Sequence, residues 1–154
     1  ALQNHPGVTT HSEGEEPNRR VVIMLAGQQP QGEKAERSEK VITAAMKQSL
    51  KAYRPELQPL TAFRTLVATP FEGRKFIAHC DEPLTPQGKR YLASTLQRGE
   101  AALILIGPEG DFSPEEIRLA AEAGFEEITL GTMRLRTETA AVVAVTMVSV
   151  VNNQ

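Results

Sequence analysis

Short segments rich in apolar residues alternate in this sequence with longer stretches of helical periodicity. The short segments end near Gly or Pro, as strands do, and predict strands at 19–25, 75–80, 101–106 and 127–130. The helical stretches are predicted at 33–53, 85–96, 113–124 and 138–151. Residues 56–74 hold Pro59 and Pro70 around a short helical pattern and stay unassigned. Strands that alternate with helices indicate an α/β fold with a mainly parallel sheet and helices on both faces.

Capping residues in the sequence predict where two of the helices begin. Thr85-Pro86 resembles an N-cap followed by proline at the first helical position, where the missing N–H is harmless. Ser113-Pro114-Glu115-Glu116 is a capping box, and Gly124 is expected to end the helix that it opens. The last helix is apolar on nearly every side, so we expect it to pack against a second subunit in a homodimer.

The 154 residues fit one domain by length. Residues 1–18 are polar with almost nothing to bury, so we expect a flexible leader there and a folded domain over 19–154. The longest apolar stretch, 140–151, is shorter than the roughly 20 residues that cross a bilayer, and no signal peptide is visible. We therefore expect no membrane partner.

The cysteine content and the net charge exclude several kinds of site and partner. Cys80 is the only cysteine, which excludes an internal disulfide and a cysteine-based zinc site and suits the reducing cytoplasm. No second ligand stands at metal spacing from His79 or Cys80, so we expect no metal. The net charge of -2 disfavours a strong nucleic-acid binder, so any RNA contact must come from a local patch, a second subunit or another domain.

The loop after the 101–106 strand is the first candidate site. Ligands of open α/β sheets bind at the carboxyl ends of the strands. Glu109 and Asp111 flank a glycine turn and would repel a phosphate, whereas they suit a cationic centre or ribose hydroxyls. The alternative is an ordinary strand–helix turn whose acids favour the helix N-terminus.

The loop after the 127–130 strand brings Arg134 and Arg136 close to the start of the last helix. Thr137 or Glu138 is predicted to cap that helix. Because both loops follow strands of one parallel sheet, they should lie at the same edge, and Cys80 ends a third strand there.

These two loops carry a family resemblance. Ile106-Gly107-Pro108-Glu109-Gly110, followed by Leu130-Gly131-x-x-Arg134-Leu135-Arg136-Thr137-Glu138-Thr139-Ala140, resembles the RsmE family of the SPOUT superfamily. The resemblance covers about Glu33 to the end of the sequence. It implies a fold with a C-terminal trefoil knot, a homodimer, and methylation of uridine N3 in small-subunit (16S) ribosomal RNA with S-adenosylmethionine as the methyl donor. Two family features are not found in the sequence, namely an N-terminal RNA-binding β-barrel and an early strand–helix unit.

The resemblance also suggests roles for the residues. Arg136 is expected to stabilise the uracil anion, with Glu138 as a proton acceptor or a partner that orients Arg136. Arg134 is expected to contact RNA. The cofactor is expected to contact residues of three strand ends: Cys80, Ile106, Gly107, Pro108, Glu109, Gly110, Leu130, Gly131, Met133 and Leu135.

Basic residues of the first long helix form a second candidate RNA surface. They share an arc of about 100° with no acid interleaved, and they are Arg37, Lys40, Lys47, Lys51 and Arg54. A phosphate-contacting surface is one interpretation, and Lys47, Lys51 and Arg54 are its candidate contacts. A plain solvated helix face is the other.

Two other functions remain open at this point. The chain could be a non-catalytic RNA-binding or ribosome-assembly module that retains the fold. It could also be a regulator that binds a nucleotide phosphate at the Gly107–Gly110 turn.

Overall fold

In a computed structural model of the chain, residues 21–25, 32–49, 54–59 and 61–153 are described. Their elements, in chain order, are β1 (Val21–Leu25), α1 (Gly32–Ser49), α2 (Phe63–Ala68), β2 (Arg74–Ala78), β3 (Arg90–Tyr91), α3 (Leu92–Thr95), β4 (Ala102–Ile106), α4 (Pro114–Glu122), β5 (Glu126–Thr129) and α5 (Thr137–Asn152). The four predicted strands are all present within two residues of their expected bounds. The expected leader lies outside the described residues.

The strands form one sheet in the order β1-β4-β2-β5-β3, and every neighbouring pair is parallel. In this register Ile104 of β4 lies between Ile23 of β1 and Phe76 of β2. All residues of β4 are buried, as expected of a central strand that is covered on both faces. The prediction of a parallel α/β sheet is confirmed.

Side chains of β4 alternate between two apolar cores. Ala102, Ile104 and Ile106 face one core together with buried residues of α3 and α5, whereas Leu103 and Leu105 face the other with residues of α2 and α4. The second core includes Phe63 of α2 and Phe112, whose ring centroids are 5.6 Å apart. Helices therefore cover both faces of the sheet, as predicted.

The predicted helix over 85–96 is wrong. Residues 85–89 are not helical, and only Leu92–Thr95 form a single helical turn after the short strand β3. The N–H of Gly88 donates to the carbonyl of Thr85 at 3.0 Å, and Gly88 has a φ of 72°. Thr85 and Pro86 thus open a tight turn instead of capping a helix, because the left-handed glycine ends any helical path at once.

The capping box of α4 is confirmed. The N–H of Glu116 donates to the Ser113 hydroxyl at 3.3 Å, and the Glu116 carboxylate accepts from the Ser113 N–H at 2.8 Å. Gly124 follows the helix with a φ of 84°, as the sequence predicted. This cap fixes the direction in which the chain leaves the loop after β4.

At the opposite edge of the sheet, where the strands begin, Arg74 links two neighbouring strands. Arg74 of β2 donates from Nε to the Glu126 carboxylate of β5 at 3.0 Å and from Nη1 to the carbonyl of Thr95 at 2.5 Å. The hydrogen bond with Glu126 raises the pKa of Arg74 above its ordinary value.

None of the described helices is both long enough and apolar enough to cross a membrane.

Candidate functional site

Strand order places three loops side by side at the carboxyl edge of the sheet. Strand β2 lies between β4 and β5, so its end at His79 and Cys80 is flanked by residues 107–113 after β4 and by residues 130–136 after β5. We call these the glycine loop and the arginine loop. A crevice outside the carboxyl ends of parallel strands is the usual ligand position in such sheets.

Asp111 shapes the glycine loop. Its N–H donates to the Pro108 carbonyl at 2.9 Å, and its φ of 67° lies in the left-handed region. Oδ1 accepts from the N–H of Phe112 at 2.8 Å, and Oδ2 accepts from the N–H of Cys80 at 2.6 Å. The interpretation of Asp111 as a ligand for a cationic centre is therefore not supported, because both of its carboxylate oxygens hold the backbone instead.

Two glycines of this loop differ in what surrounds them. Gly107 is buried, and a Cβ there would lie 2.7 Å from Oδ1 of Asp111 and 3.1 Å from its Cα. Gly110 is exposed, and a Cβ there would meet no protein atom within 4 Å. Gly107 is thus required by the packing of the loop itself, whereas the backbone at Gly110 is open to a ligand. Pro108 and Glu109 are exposed beside it.

The arginine loop begins with a turn at Gly131, whose φ is 147°. The hydroxyl of Thr129 donates to the Gly131 carbonyl at 2.7 Å and accepts from the Gly131 N–H at 3.2 Å. Leu130 and Leu135 pack against the core that α5 shares with the sheet, so both ends of the loop are anchored. Between them Met133 is 77% exposed, an apolar side chain left in contact with solvent.

The start of α5 joins the two loops. Arg136 occupies the N-cap position without a side-chain cap, and the hydroxyl of Thr137 donates to the Gly107 carbonyl at 2.9 Å. The prediction that Thr137 or Glu138 caps α5 is wrong, because Thr137 lies one residue inside the helix and its hydroxyl faces the neighbouring loop. Glu138 is exposed in the first turn, where its charge is favourable.

The cations of the arginine loop are available to a ligand. Arg134 and Arg136 are exposed, and neither forms an ion pair with a residue that the structure describes. Arg134 acts electrostatically on Cys80, so the arginine loop and the end of β2 share one region. Although Cys80 is exposed, partial desolvation of its thiol and, next, the hydrogen bond with Asp111 raise the pKa of that thiol, which keeps it protonated at neutral pH.

A pair of ionisable side chains beneath this edge was missed by the sequence interpretation. Nε2 of His79 lies 2.9 Å from Oε1 of Glu127, and the two side chains are 0% and 7% exposed. Burial and, next, the charge of Lys89 lower the pKa of His79, so the neutral ring donates from Nε2 to the carboxylate. The available signal was Glu127 itself, an acid within a predicted strand of a sheet that was expected to be covered on both faces.

The basic stripe on α1 is only partly as expected. Lys47 is exposed, but Arg54 lies beyond the end of α1 at Ser49 and forms an ion pair with Glu39. Arg54 is therefore not a free cation on the same helix face as Lys47. Lys51 lies outside the described residues.

No group of His, Cys, Asp or Glu side chains suited to a metal ion exists within the described ranges.

Comparison with known proteins identifies the family. A model described as the RNA methyltransferase domain matches residues 20–149. The chain belongs to this family. A ribosomal RNA small subunit methyltransferase E from Aquifex aeolicus is 29% identical over 109 residues, which are 71% of this chain and 44% of that protein. The resemblance to the RsmE family is thereby confirmed.

Solved structures agree with that assignment. A Porphyromonas gingivalis protein, described as "probable rRNA-methyltransferase", is 40% identical with a TM-score of 0.72 and matches 85% of this chain and 55% of its own. A ribosomal RNA small subunit methyltransferase E from Neisseria gonorrhoeae, bound to S-adenosyl methionine, is 25% identical with a TM-score of 0.60; the match covers 81% of this chain and 51% of that one. The chain spans about half the length of these relatives.

Proposed function

We propose that this methyltransferase domain binds S-adenosylmethionine at the carboxyl edge of the sheet and serves to methylate N3 of a uridine in 16S ribosomal RNA. The observation that carries the proposal is that hydrogen bonds link the loops after β2, β4 and β5. Thr137 connects α5 to Gly107, and Asp111 connects the glycine loop to Cys80. A relative with S-adenosyl methionine bound supports the choice of cofactor.

The cofactor contacts that we propose are those of the two loops and the end of β2. The open backbone at Gly110 leaves room for a ligand, and the packed residues Ile106, Leu130 and Leu135 provide an apolar floor. Exposed Met133, Pro108 and Glu109 border the same region, as does Cys80. The negative charge of Glu109 and Asp111 disfavours the alternative of a phosphate-binding regulator. The bound cofactor would supply an electrophilic methyl group.

Arg136 and Glu138 are the proposed catalytic residues. Uridine N3 must lose a proton before its nitrogen can attack, and the negative charge then spreads onto the uracil oxygens. Arg136 is exposed beside the N-terminus of α5, so its guanidinium and the helix dipole both place positive potential there. Glu138, in the first turn, is proposed to accept the proton or to orient Arg136. Arg134 and Lys47 are proposed to contact RNA phosphates.

Further features of the assembly are proposed from the apolar surface of α5. Val142, Val145 and Val150 of α5 are 63%, 41% and 51% exposed, whereas Ala144 and Val148 of the same helix are buried in the core. Large apolar side chains exposed on one helix are typical of a subunit interface, so we propose a homodimer that contains α5. Sedimentation that gives a monomer mass at micromolar concentration would contradict it. A trefoil knot is proposed from the family resemblance, and a cytoplasmic location from the presence of a single cysteine.

The proposal is tested by methyl transfer to 16S ribosomal RNA in a longer protein that carries this domain. Replacement of one transition-state donor typically lowers the rate by about 100- to 1,000-fold. Arg136→Ala should therefore lose methyl transfer by that order while it retains cofactor affinity. Arg136→Lys should recover little, because an ammonium cannot present a planar pair of donors. Turnover within a few-fold of wild type at saturating RNA would show that Arg136 is not catalytic. A wild-type protein that binds RNA without transferring a methyl group would favour the non-catalytic module.

A further inference from the structure

The connection between β2 and β3, residues 79–89, has little apolar packing of its own. Residues 80–87 are all exposed, including Leu84 at 51%. Hydrophobic burial therefore cannot account for its position. The connection is held by hydrogen bonds to its backbone, and the groups that make them determine where it lies.

Glu127 of β5 holds the middle of this connection. Its Oε1 and Oε2 accept from the N–H of Leu84 at 3.0 and 3.1 Å, and Oε1 also accepts from Nε2 of His79 at 2.9 Å. Among the described residues, no other side chain from outside the connection bonds to the backbone of 81–88. Hydrogen bonds to a carboxylate are stronger than those between neutral groups.

The beginning of the same connection forms part of the candidate site. The N–H of Cys80 donates to Asp111 of the glycine loop, and Nζ of Lys89 donates to the His79 carbonyl at 2.7 Å and to the Asp81 carbonyl. Glu127 at the middle and Asp111 at the beginning thus fix one segment between two strand ends. A shift of the segment at Leu84 would be transmitted to Cys80 and through it to the glycine loop.

We propose that Glu127 is a positioning residue of the cofactor site: it holds the 79–89 connection in the one geometry in which Cys80 and Asp111 support ligand binding. The inference rests on the proposed function, since it concerns affinity for S-adenosylmethionine. The Glu127 side chain is only 7% exposed and lies beneath the edge, so it acts through the connection. When a competent geometry is only partly populated, the apparent dissociation constant rises in inverse proportion to its population.

The test compares Glu127→Gln and Glu127→Ala with the matched control Glu126→Gln. Glu126 is the adjacent residue of β5, but it pairs with Arg74 at the amino end of the strands. Two quantities are measured for each folded variant: amide hydrogen exchange at Leu84 without ligand, and the dissociation constant of S-adenosylhomocysteine by calorimetry. Glutamine keeps the shape of glutamate, so it separates loss of the charge from loss of packing and provides a variant that should fold.

We expect faster exchange at Leu84 and an affinity weakened about tenfold in Glu127→Gln, and up to about a hundredfold in Glu127→Ala, the range expected for lost hydrogen bonds to a charged group. The control should lower the melting temperature without changing exchange at Leu84 or the affinity. Unchanged exchange in both Glu127 variants overturns the proposal, and so does faster exchange with unchanged affinity. If the wild-type chain fails to bind the probe, the proposed function fails, and the exchange measurement alone then decides whether Glu127 fixes the connection.

Discussion

The hydroxyl of Thr137 is the direct link between α5 and the glycine loop, so its removal is a specific perturbation of the site. Thr137→Val keeps the shape of the side chain but deletes the donor to the Gly107 carbonyl, a bond of 2.9 Å. In this variant the Gly107 carbonyl loses its hydrogen-bond donor. Because Gly107 is buried, water cannot easily take the place of the lost hydroxyl. A buried acceptor left without its donor costs about 1–3 kcal/mol.

That energy corresponds to a measurable decrease in stability. For a chain of this size, each kcal/mol of unfolding free energy changes the melting temperature by about 2–4 °C. We therefore expect Thr137→Val to lower the melting temperature by about 2–12 °C in differential scanning calorimetry. The affinity for S-adenosylhomocysteine should also fall, because the two loops that form the proposed site are no longer joined.

Two variants serve as controls for this prediction. Thr137→Ser retains a hydroxyl at the same position and should remain close to wild type in both measurements. Thr139→Val makes the same chemical change at an exposed position of the same helix and should leave both unchanged. If Thr137→Val melts like wild type and binds the ligand equally well, the link between the loops contributes nothing, and the joined site described above is wrong.

Three further sets of variants test other parts of the molecule. Gly110→Val should fold normally, because a Cβ there meets no protein atom within 4 Å, yet lose cofactor affinity; calorimetry showing a folded variant with unchanged affinity would remove Gly110 from the site. Lys47→Glu combined with Lys51→Glu should weaken RNA binding and lower the log–log salt slope by about one for each phosphate that the helix no longer neutralises, whereas an unchanged slope would identify a solvated helix face. The pKa of His79 is lowered below its ordinary 6.5 by burial and by Lys89, against the opposing effects of Glu127 and Asp111, so the unfolded chain binds this proton more readily. The free energy of unfolding from urea titrations should therefore fall as the pH drops through 6.5, and His79→Gln should remove that part of the decrease; an identical pH dependence in the variant would contradict it.

The sequence predicted the parts of this fold that depend on local pattern. The continuous apolar run of β4 indicated a strand buried on both faces, and the Ser113–Glu116 spacing identified the start of α4, because both signals act within a few residues. Their placement also predicted that the glycine and arginine loops meet at one edge. The comparisons confirmed the family that these two loops suggested.

Other features depend on side chains that are distant in the sequence. Thr85-Pro86 favours a helix start locally, but Lys89 donates to the carbonyls of His79 and Asp81 and Gly88 adopts a left-handed turn, so the chain folds back instead. Thr137 is a good cap by residue type, yet its hydroxyl serves a carbonyl 30 residues earlier in the chain. Glu127 was missed for the same reason, since its partners are 43 and 48 residues away.

The central proposal is that the glycine loop and the arginine loop, at the carboxyl edge of the sheet, bind S-adenosylmethionine. Calorimetric titration of the wild-type chain with S-adenosylhomocysteine tests this most directly, with Gly110→Val titrated in parallel. We expect saturable binding of one ligand per chain to the wild type and no detectable heat of binding for the variant. Equal binding by both proteins, or no binding by the folded wild-type chain, would contradict this assignment.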